Sequence, residues 1–306
     1  MAAHTSRRDF IAGFGAAALS TSSLFGQEHQ PTAQGIEFGY TAMTWGKDER
    51  GAIDDIAAVG FRGIQFRGEA LTEFKPAELH PLLQQKQLTF VALSSGDVSL
   101  DAGPESGQIE QHVSHAKFVK DAGGLYLQIL DQLKPYPRRV TSDECKRLGQ
   151  LLTELGKRTA DIGIPLAYHN HLNTISEHPE NLKLVLESSD PKYVKLELDT
   201  AHYLAGGGDP AHAITEYKDR LLFLHLKDVI DIPLNTPGAR YPFKFVELGR
   251  GKVNFTAVFT ALNKINYRGW AVVELDRVPD KSRTPKECAT ISRDYLQQKF
   301  GAKFPA

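Results

Sequence analysis

The sequence predicts a single α/β domain, a (β/α)8 TIM barrel over residues 35–306, on three observations. Short β-rich runs alternate with amphipathic stretches from Gly35 onward, the pattern of a parallel sheet with helical crossovers. Eight such units fit into about 270 residues, the length this barrel takes. Polar residues collect at the C-terminal ends of the strands, where the fold keeps its reactive groups. The rival, a doubly wound open sheet, calls for a glycine-rich phosphate loop after its first strand. That position reads Tyr40-Thr41-Ala42-Met43-Thr44-Trp45, and Gly206-Gly207-Gly208 comes too late and is too short to serve.

Residues 1–30 read as an export signal and linker. Arg7-Arg8 precede a weakly apolar run, Ile11 to Leu19, and small and polar residues follow. The run is far shorter than the ~20 residues that span a bilayer. This order resembles a twin-arginine signal and implies an exported, periplasmic protein that crosses already folded.

The first strand is Glu37–Thr41, followed by a helix over Ala52–Val59. Strands Gly63–Phe66 and Thr89–Leu93 come next, then the helix Ile109–Asp121. Strand Leu125–Leu130 leads into the clearest helix, Ser142–Asp161. Ser142 reads as its N-cap, and Leu148, Leu151, Leu152 and Leu155 lie on one stripe. The last four strands are Pro165–His169, Val194–Leu198, Leu221–His225 and Trp270–Glu274.

Composition narrows the function. Lys and Arg total 36 against 37 Asp and Glu, so the basic excess of a general nucleic-acid binder is absent. Cys145 and Cys288 match no zinc or disulfide spacing. The strand ends carry Gln65 and Arg67, Ser94 and Ser95, Gln128 and Asp131, His169 and His171, Asp199 and His202, His225 and Asp228, and Glu274 with Asp276. In a barrel Asp199, His225 and Glu274 converge on one cavity. Two carboxylates and an imidazole suit Mn²⁺, Zn²⁺, Co²⁺ or Mg²⁺ with positions left open for substrate. Strand periodicity puts His169 and His171 on one face, so one can ligate while the other acts as a base. Lys227, two residues past His225, is the competing base. Lys227, Arg250 and Lys252 form only a modest basic cluster, which argues against a phosphorylated substrate. Tyr40, Trp45, Phe66 and Tyr203 have the shape to stack on a sugar ring, although core packing is the commoner use of such residues.

The segment from Tyr168 to Asp276 carries Gly206-Gly-Gly-Asp-Pro210, His225-Leu-Lys-Asp228 and Glu247-Leu-Gly-Arg-Gly-Lys-Val-Asn-Phe255 in order. These runs resemble the xylose isomerase-like barrel superfamily of sugar epimerases, inosose dehydratases and endonuclease IV. The resemblance implies that Asp199, His225 and Glu274 bind a divalent metal, Mn²⁺ first, and that His202 lies beside the metal or substrate. Gln65, Arg67 and Asp228 at strand ends, with Arg250 and Trp45, are the candidate substrate contacts beside it. The departure is at strand five, where His169-Asn170-His171 stands in place of the Glu-Asn-His run of the epimerases. The spacing His169-x-His171-x-x-Thr174-x-x-Glu177 is similar to inosose dehydratases, and the fourth ligand stays open between Glu177, His169 and His171.

The chemistry this implies is removal of a proton α to a carbonyl of a keto-sugar, keto-glycoside or keto-cyclitol, with a divalent cation stabilising the enediolate. Returning the proton elsewhere gives isomerisation or epimerisation, and losing a β-substituent gives elimination. The dehydratase-like strand five, the loss of one epimerase glutamate and the export signal favour elimination. A non-catalytic sugar-binding barrel is the reading from another class, and it would not need to keep the ligand set. Endonuclease IV chemistry needs a larger His-rich site and a basic groove. The expected partner is a small-molecule carbohydrate, with no nucleic acid and no membrane once the signal is removed. Assembly into a homo-oligomer stays open.

Overall fold

The computed structural model describes Met1 and residues 31–103, 107–133, 139–237 and 241–305. The twin-arginine segment thus falls, Met1 apart, outside the described residues. Residues 31–306 form one compact unit. Among the described residues no helix is long and apolar enough to cross a membrane.

Eight parallel strands close into a barrel, as the alternation predicts. They are β1 (Ile36–Thr41), β2 (Gly63–Phe66), β3 (Thr89–Val98), β4 (Tyr126–Asp131), β5 (Leu166–His169), β6 (Val194–Asp199), β7 (Leu221–Leu226) and β10 (Gly269–Val273), with β10 pairing back onto β1. Between β7 and β10 the chain inserts an antiparallel hairpin, β8 (Asp228–Asp231) and β9 (Phe243–Val246), which the sequence reading does not anticipate.

The helices surround this barrel. They are α1 (Glu49–Val59), α2 (Ala70–Glu73), α3 (Pro76–Gln85), α4 (Gln108–Asp121), α5 (Ser142–Ile162), α6 (Pro179–Glu187), α7 (Thr200–Ala205), α8 (Pro210–Glu216), α9 (Phe255–Lys264) and α10 (Pro285–Phe300). The N-cap of α5 is Thr141 rather than Ser142. Its hydroxyl accepts from the Glu144 N–H, and the Glu144 carboxylate accepts from the Thr141 N–H. This reciprocal pair satisfies two donors that Ser142, one residue inside, cannot reach. Leu148, Leu152 and Leu155 bury the stripe of α5, while Leu151 lies at its edge, half-buried.

Two apolar layers carry the site. The larger lies between barrel and helices. The smaller fills the barrel itself: Val91, Ala92, Ala167, Phe223 and Val272, with Tyr126, Leu222 and Trp270 against them. Tyr126 stacks on Phe223 at 5.3 Å. Gly63 belongs to this plug because a Cβ there would meet Trp270 and Val91 at 2.5 Å. Side chains two residues further along each strand stand one layer higher. Ala167 leads to His169, Phe223 to His225 and Val272 to Glu274, so the plug becomes the floor of a polar cavity.

Candidate active site

Asp199 closes β6 and caps α7, and its two oxygens have separate duties. Oδ1 accepts from the His202 N–H at 2.7 Å, while Oδ2 is buried without a hydrogen-bond partner. Asn170 fixes the backbone of Asp199 from β5, its Oδ1 accepting from the Asp199 N–H at 2.9 Å and its Nδ2 donating to the Asp199 carbonyl at 3.3 Å. On β7, His225 is held from beneath. Its Nε2–H donates to Gln65 Oε1 at 2.9 Å and stands 2.5 Å from Glu197 Oε1. Nδ1 therefore faces the other way, 3.1 Å from Glu274 Oε2 and 3.8 Å from Asp199 Oδ2. A carboxylate behind a histidine, with the opposite nitrogen turned to a cluster of anions, is the arrangement that orients metal-binding imidazoles.

The cluster is deeply buried and rich in negative charge. Glu197 and Asp199 are fully buried, and Glu274 is 6% exposed. Burial pushes the Glu197 carboxyl up, and it pushes Asp199 up to about 7 against the pull of Lys227. Burial also resists charge on Glu274, yet His225 and Lys227 hold its carboxyl well below the usual range. His225 is likewise resisted by burial, but Glu197 and Glu274 outweigh it and hold the imidazole well above its norm. Buried carboxylates at this density need cations.

The residues fit a divalent ion. His169, Asp199, His202 and Glu274 place one ligand atom each within 4.8 Å of one another. His169 Nδ1, Asp199 Oδ2 and His225 Nδ1 are buried without hydrogen-bond partners. The donors are imidazole nitrogens and carboxylate oxygens, the set that borderline and hard divalent ions take. Asp199, His225 and Glu274 thus converge, and His169 stands with them.

Two groups flank this cluster. Lys227 Nζ donates to Glu274 Oε2 at 2.9 Å and stands 2.5 Å from Asp276 Oδ1 and 3.1 Å from His202 Nε2. Burial opposes its charge, but Asp276, Glu274 and Asp199 outweigh burial and raise its pKa. Lys227 therefore stands as a cation among these carboxylates. His171 has the opposite character. Its Nδ1 lies 2.7 Å from the Leu172 carbonyl, which can only accept, so Nδ1 carries the hydrogen and Nε2 keeps a free lone pair. Its ring lies 3.8 Å from that of His202 and 5.7 Å from that of His169.

Other expected residues are engaged by the surrounding fold. Glu177 lies in a 3-10 turn past the end of β5, where its carboxylate accepts from the Asn173 N–H at 2.8 Å, outside the ligand cluster. Asp228 accepts backbone N–H groups from Val229, Gly249, Gly251 and Val253. Its carboxylate is fully engaged as an anchor for the hairpin loop and has no capacity left for substrate. Arg67 donates to the Gly46 carbonyl and to Glu69, and Trp45 donates to Asp55. Arg250 is exposed and stands 3.9 Å from Glu247. Gln65 acts through His225. Tyr40, Phe66 and Tyr203 are core residues.

Glu197 is the residue that sequence reasoning missed. The available signal was a charged side chain two positions before Asp199, hence on the same face and deeper in the barrel. Glu197→Gln should keep the shape and lose the charge that orients His225. We expect divalent-metal affinity to fall about 10–100-fold while the barrel stays folded. A chelator-competition titration checks this, and unchanged affinity would refute the role.

A closed parallel barrel with buried carboxylates and imidazoles gathered at its strand ends defines a class of TIM barrels with a site that could hold a metal ion. Within it, the chain belongs to the xylose isomerase-like TIM barrel family, whose model matches residues 53–297. Inosose dehydratase of Bacillus cereus (strain AH820) is 27% identical over 298 residues, covering 87% of this chain and 98% of that protein. The solved structure of IolI protein with a binding zinc atom has a TM-score of 0.72 at 18% identity, covering 87% of this chain and 100% of that one. That of L-ribulose 3-epimerase has a TM-score of 0.71 at 16% identity, covering 87% and 95%. The two structural likenesses are likenesses of fold.

Proposed function

We propose that this chain is a divalent-metal-dependent carbohydrate enzyme. It removes a proton α to a carbonyl of a keto-sugar, keto-glycoside or keto-cyclitol and expels a β-substituent, acting as a lyase or dehydratase. The observation that carries this reading is the buried group of Glu197, Asp199, Glu274, His169 and His225 beside an unprotonated nitrogen and a held proton. The similarity to inosose dehydratase supports elimination, and the zinc atom in the IolI structure supports a metal. Mn²⁺ is our first choice, with Co²⁺, Zn²⁺ and Mg²⁺ as alternatives. The cation, when bound, supplies a Lewis acid that withdraws electron density from the substrate carbonyl.

The chain's own groups do the rest. His171 Nε2 takes the α-proton, and its Nδ1–H bond to Leu172 keeps that nitrogen an acceptor. The C–H electrons become the new double bond as the β-oxygen leaves. Lys227 holds a proton over the same cavity for the departing oxygen. The apolar floor keeps water from the reacting carbons below. Isomerisation or epimerisation is the second reading, favoured by the fold shared with L-ribulose 3-epimerase; there the proton returns to carbon. A sugar-binding barrel would have no use for the retained ligand set. NMR of the products after incubation with 3-keto-glycosides, inososes and simple ketoses separates these outcomes. An unsaturated ketone is expected, a rearranged sugar would support the second reading, and no turnover together with no bound metal would sink both.

We further propose export through the twin-arginine route, from the sequence of residues 1–30. Replacing Arg7 and Arg8 by Lys should leave the protein in the cytoplasmic fraction, and unchanged periplasmic recovery would refute it.

A further inference from the structure

His171 owes its free nitrogen to one peptide group. Its Nδ1–H donates to the Leu172 carbonyl at 2.7 Å. The N–H of that same peptide belongs to Asn173, and it donates to Glu177 Oε2 at 2.8 Å. In a planar trans peptide the C=O and the N–H point in opposite directions. The Leu172–Asn173 peptide therefore lies between the Glu177 carboxylate and the His171 imidazole. Holding its N–H on Glu177 aims its carbonyl at His171.

The turn that presents Glu177 is itself fixed. Thr174 Oγ1 donates to the His171 carbonyl at 2.6 Å, and the Ile175 N–H donates to Asp131 Oδ2 at 2.7 Å. Gly206 packs against the Glu177 carbonyl and leaves no room for a Cβ. Asn173 takes the left-handed backbone of this turn, with φ 63°, a conformation Asn tolerates better than most side chains. Among the described residues Glu177 joins none of the groups that could hold a metal ion.

We propose that Glu177 is a positioning residue for His171, acting through the Leu172–Asn173 peptide. It keeps the imidazole hydrogen on Nδ1 and leaves Nε2 free to take a proton. This rests on His171 being the base of the reaction above, and adds the group that sets its tautomer. A neutral imidazole has two tautomers, and the hydrogen bond made by one nitrogen decides what the other can do. Without the carboxylate the peptide can turn and take its carbonyl away from Nδ1. The hydrogen can then move to Nε2, where the nitrogen is a donor and no base.

Glu177→Gln and Glu177→Ala test this. Gln keeps an oxygen for the Asn173 N–H, and Ala has none. Imidazole ¹⁵N shifts of the protein with diamagnetic Zn²⁺ added report the tautomer, and His171→Ala identifies the signal. Wild type and Glu177→Gln should hold the hydrogen on Nδ1. Glu177→Ala should show both tautomers with its metal content unchanged. With an inosose as probe in deuterium oxide, it should lower kcat for α-proton exchange about 10²-fold at an unaltered KM, the scale of a slightly misplaced reacting group. A role in folding alone would lower the melting temperature and leave the tautomer where it is. Glu177→Leu, which fills the space without an acceptor, gives the same reading if the Ala variant does not fold. Hydrogen on Nε2 in wild type, a single Nδ1–H tautomer in Glu177→Ala, or loss of metal from that variant overturns the proposal. The tautomer needs no substrate, so it is read whatever the reaction proves to be. An altered tautomer with undiminished exchange supports the positioning and refutes only His171 as the base.

Discussion

Asp199→Asn is expected to strip the bound cation and to lower kcat/KM on the order of 10³-fold, the scale of losing a group that stabilises charge in the transition state. The substitution is nearly isosteric. An Asn oxygen can still accept the His202 N–H that Oδ1 accepts now, and Asn caps helices about as well as Asp. What is lost is the negative charge on Oδ2, the atom buried without a partner. The variant should therefore melt near the wild-type temperature while elemental analysis finds it empty. A stoichiometric metal content in Asp199→Asn would rule out Asp199 as a ligand.

His171→Ala makes the contrasting prediction. The side chain lies just past the end of β5, its Nδ1 spent on the Leu172 carbonyl; it can gather with His169 and His202, but it stands outside the carboxylate-bearing group of His169, Asp199, His202 and Glu274. The variant should keep its metal and lose exchange of the substrate α-proton with deuterium from solvent, by about 10²–10⁴-fold, the usual worth of a positioned base. Lys227→Ala provides the control. Exchange that persists without His171 and disappears without Lys227 would transfer the role to the lysine, against the ion pairs that hold its proton in place.

The barrel was legible because its signals are periodic and local. Each of its strands falls within a residue or two of the reading from pattern, except β3, which runs on to Val98. Asp199, His225 and Glu274 were legible because each ends a strand, and a closed barrel brings strand ends together. Side-chain allegiance was not legible. Asp228 looks like one more acid at a strand end, and only the loop at 249–253, folded back onto it, shows that four backbone donors claim its oxygens. Glu177 has the right spacing from His171, but the chain leaves β5 outward, and spacing carries no direction. Glu197 lies inside β6, one side chain deeper than Asp199, and the sequence alone does not tell a buried partner of His225 from an ordinary strand residue. The hairpin has its own signal: Tyr-Pro-Phe-Lys-Phe alternates as a strand should, although it falls between two barrel strands where the alternation calls for a crossover.

The apolar plug of Phe223, Ala167, Val272 and their neighbours has a consequence for traffic. It stoppers one end of the barrel, so among the described residues the cavity above is closed from below. An elimination makes two molecules from one, and both must depart past the same rim by which their parent arrived. The fragment nearer the rim has to vacate before the deeper one can follow. For the elimination proposed above, the stopper would turn a chemical cleavage into a queue.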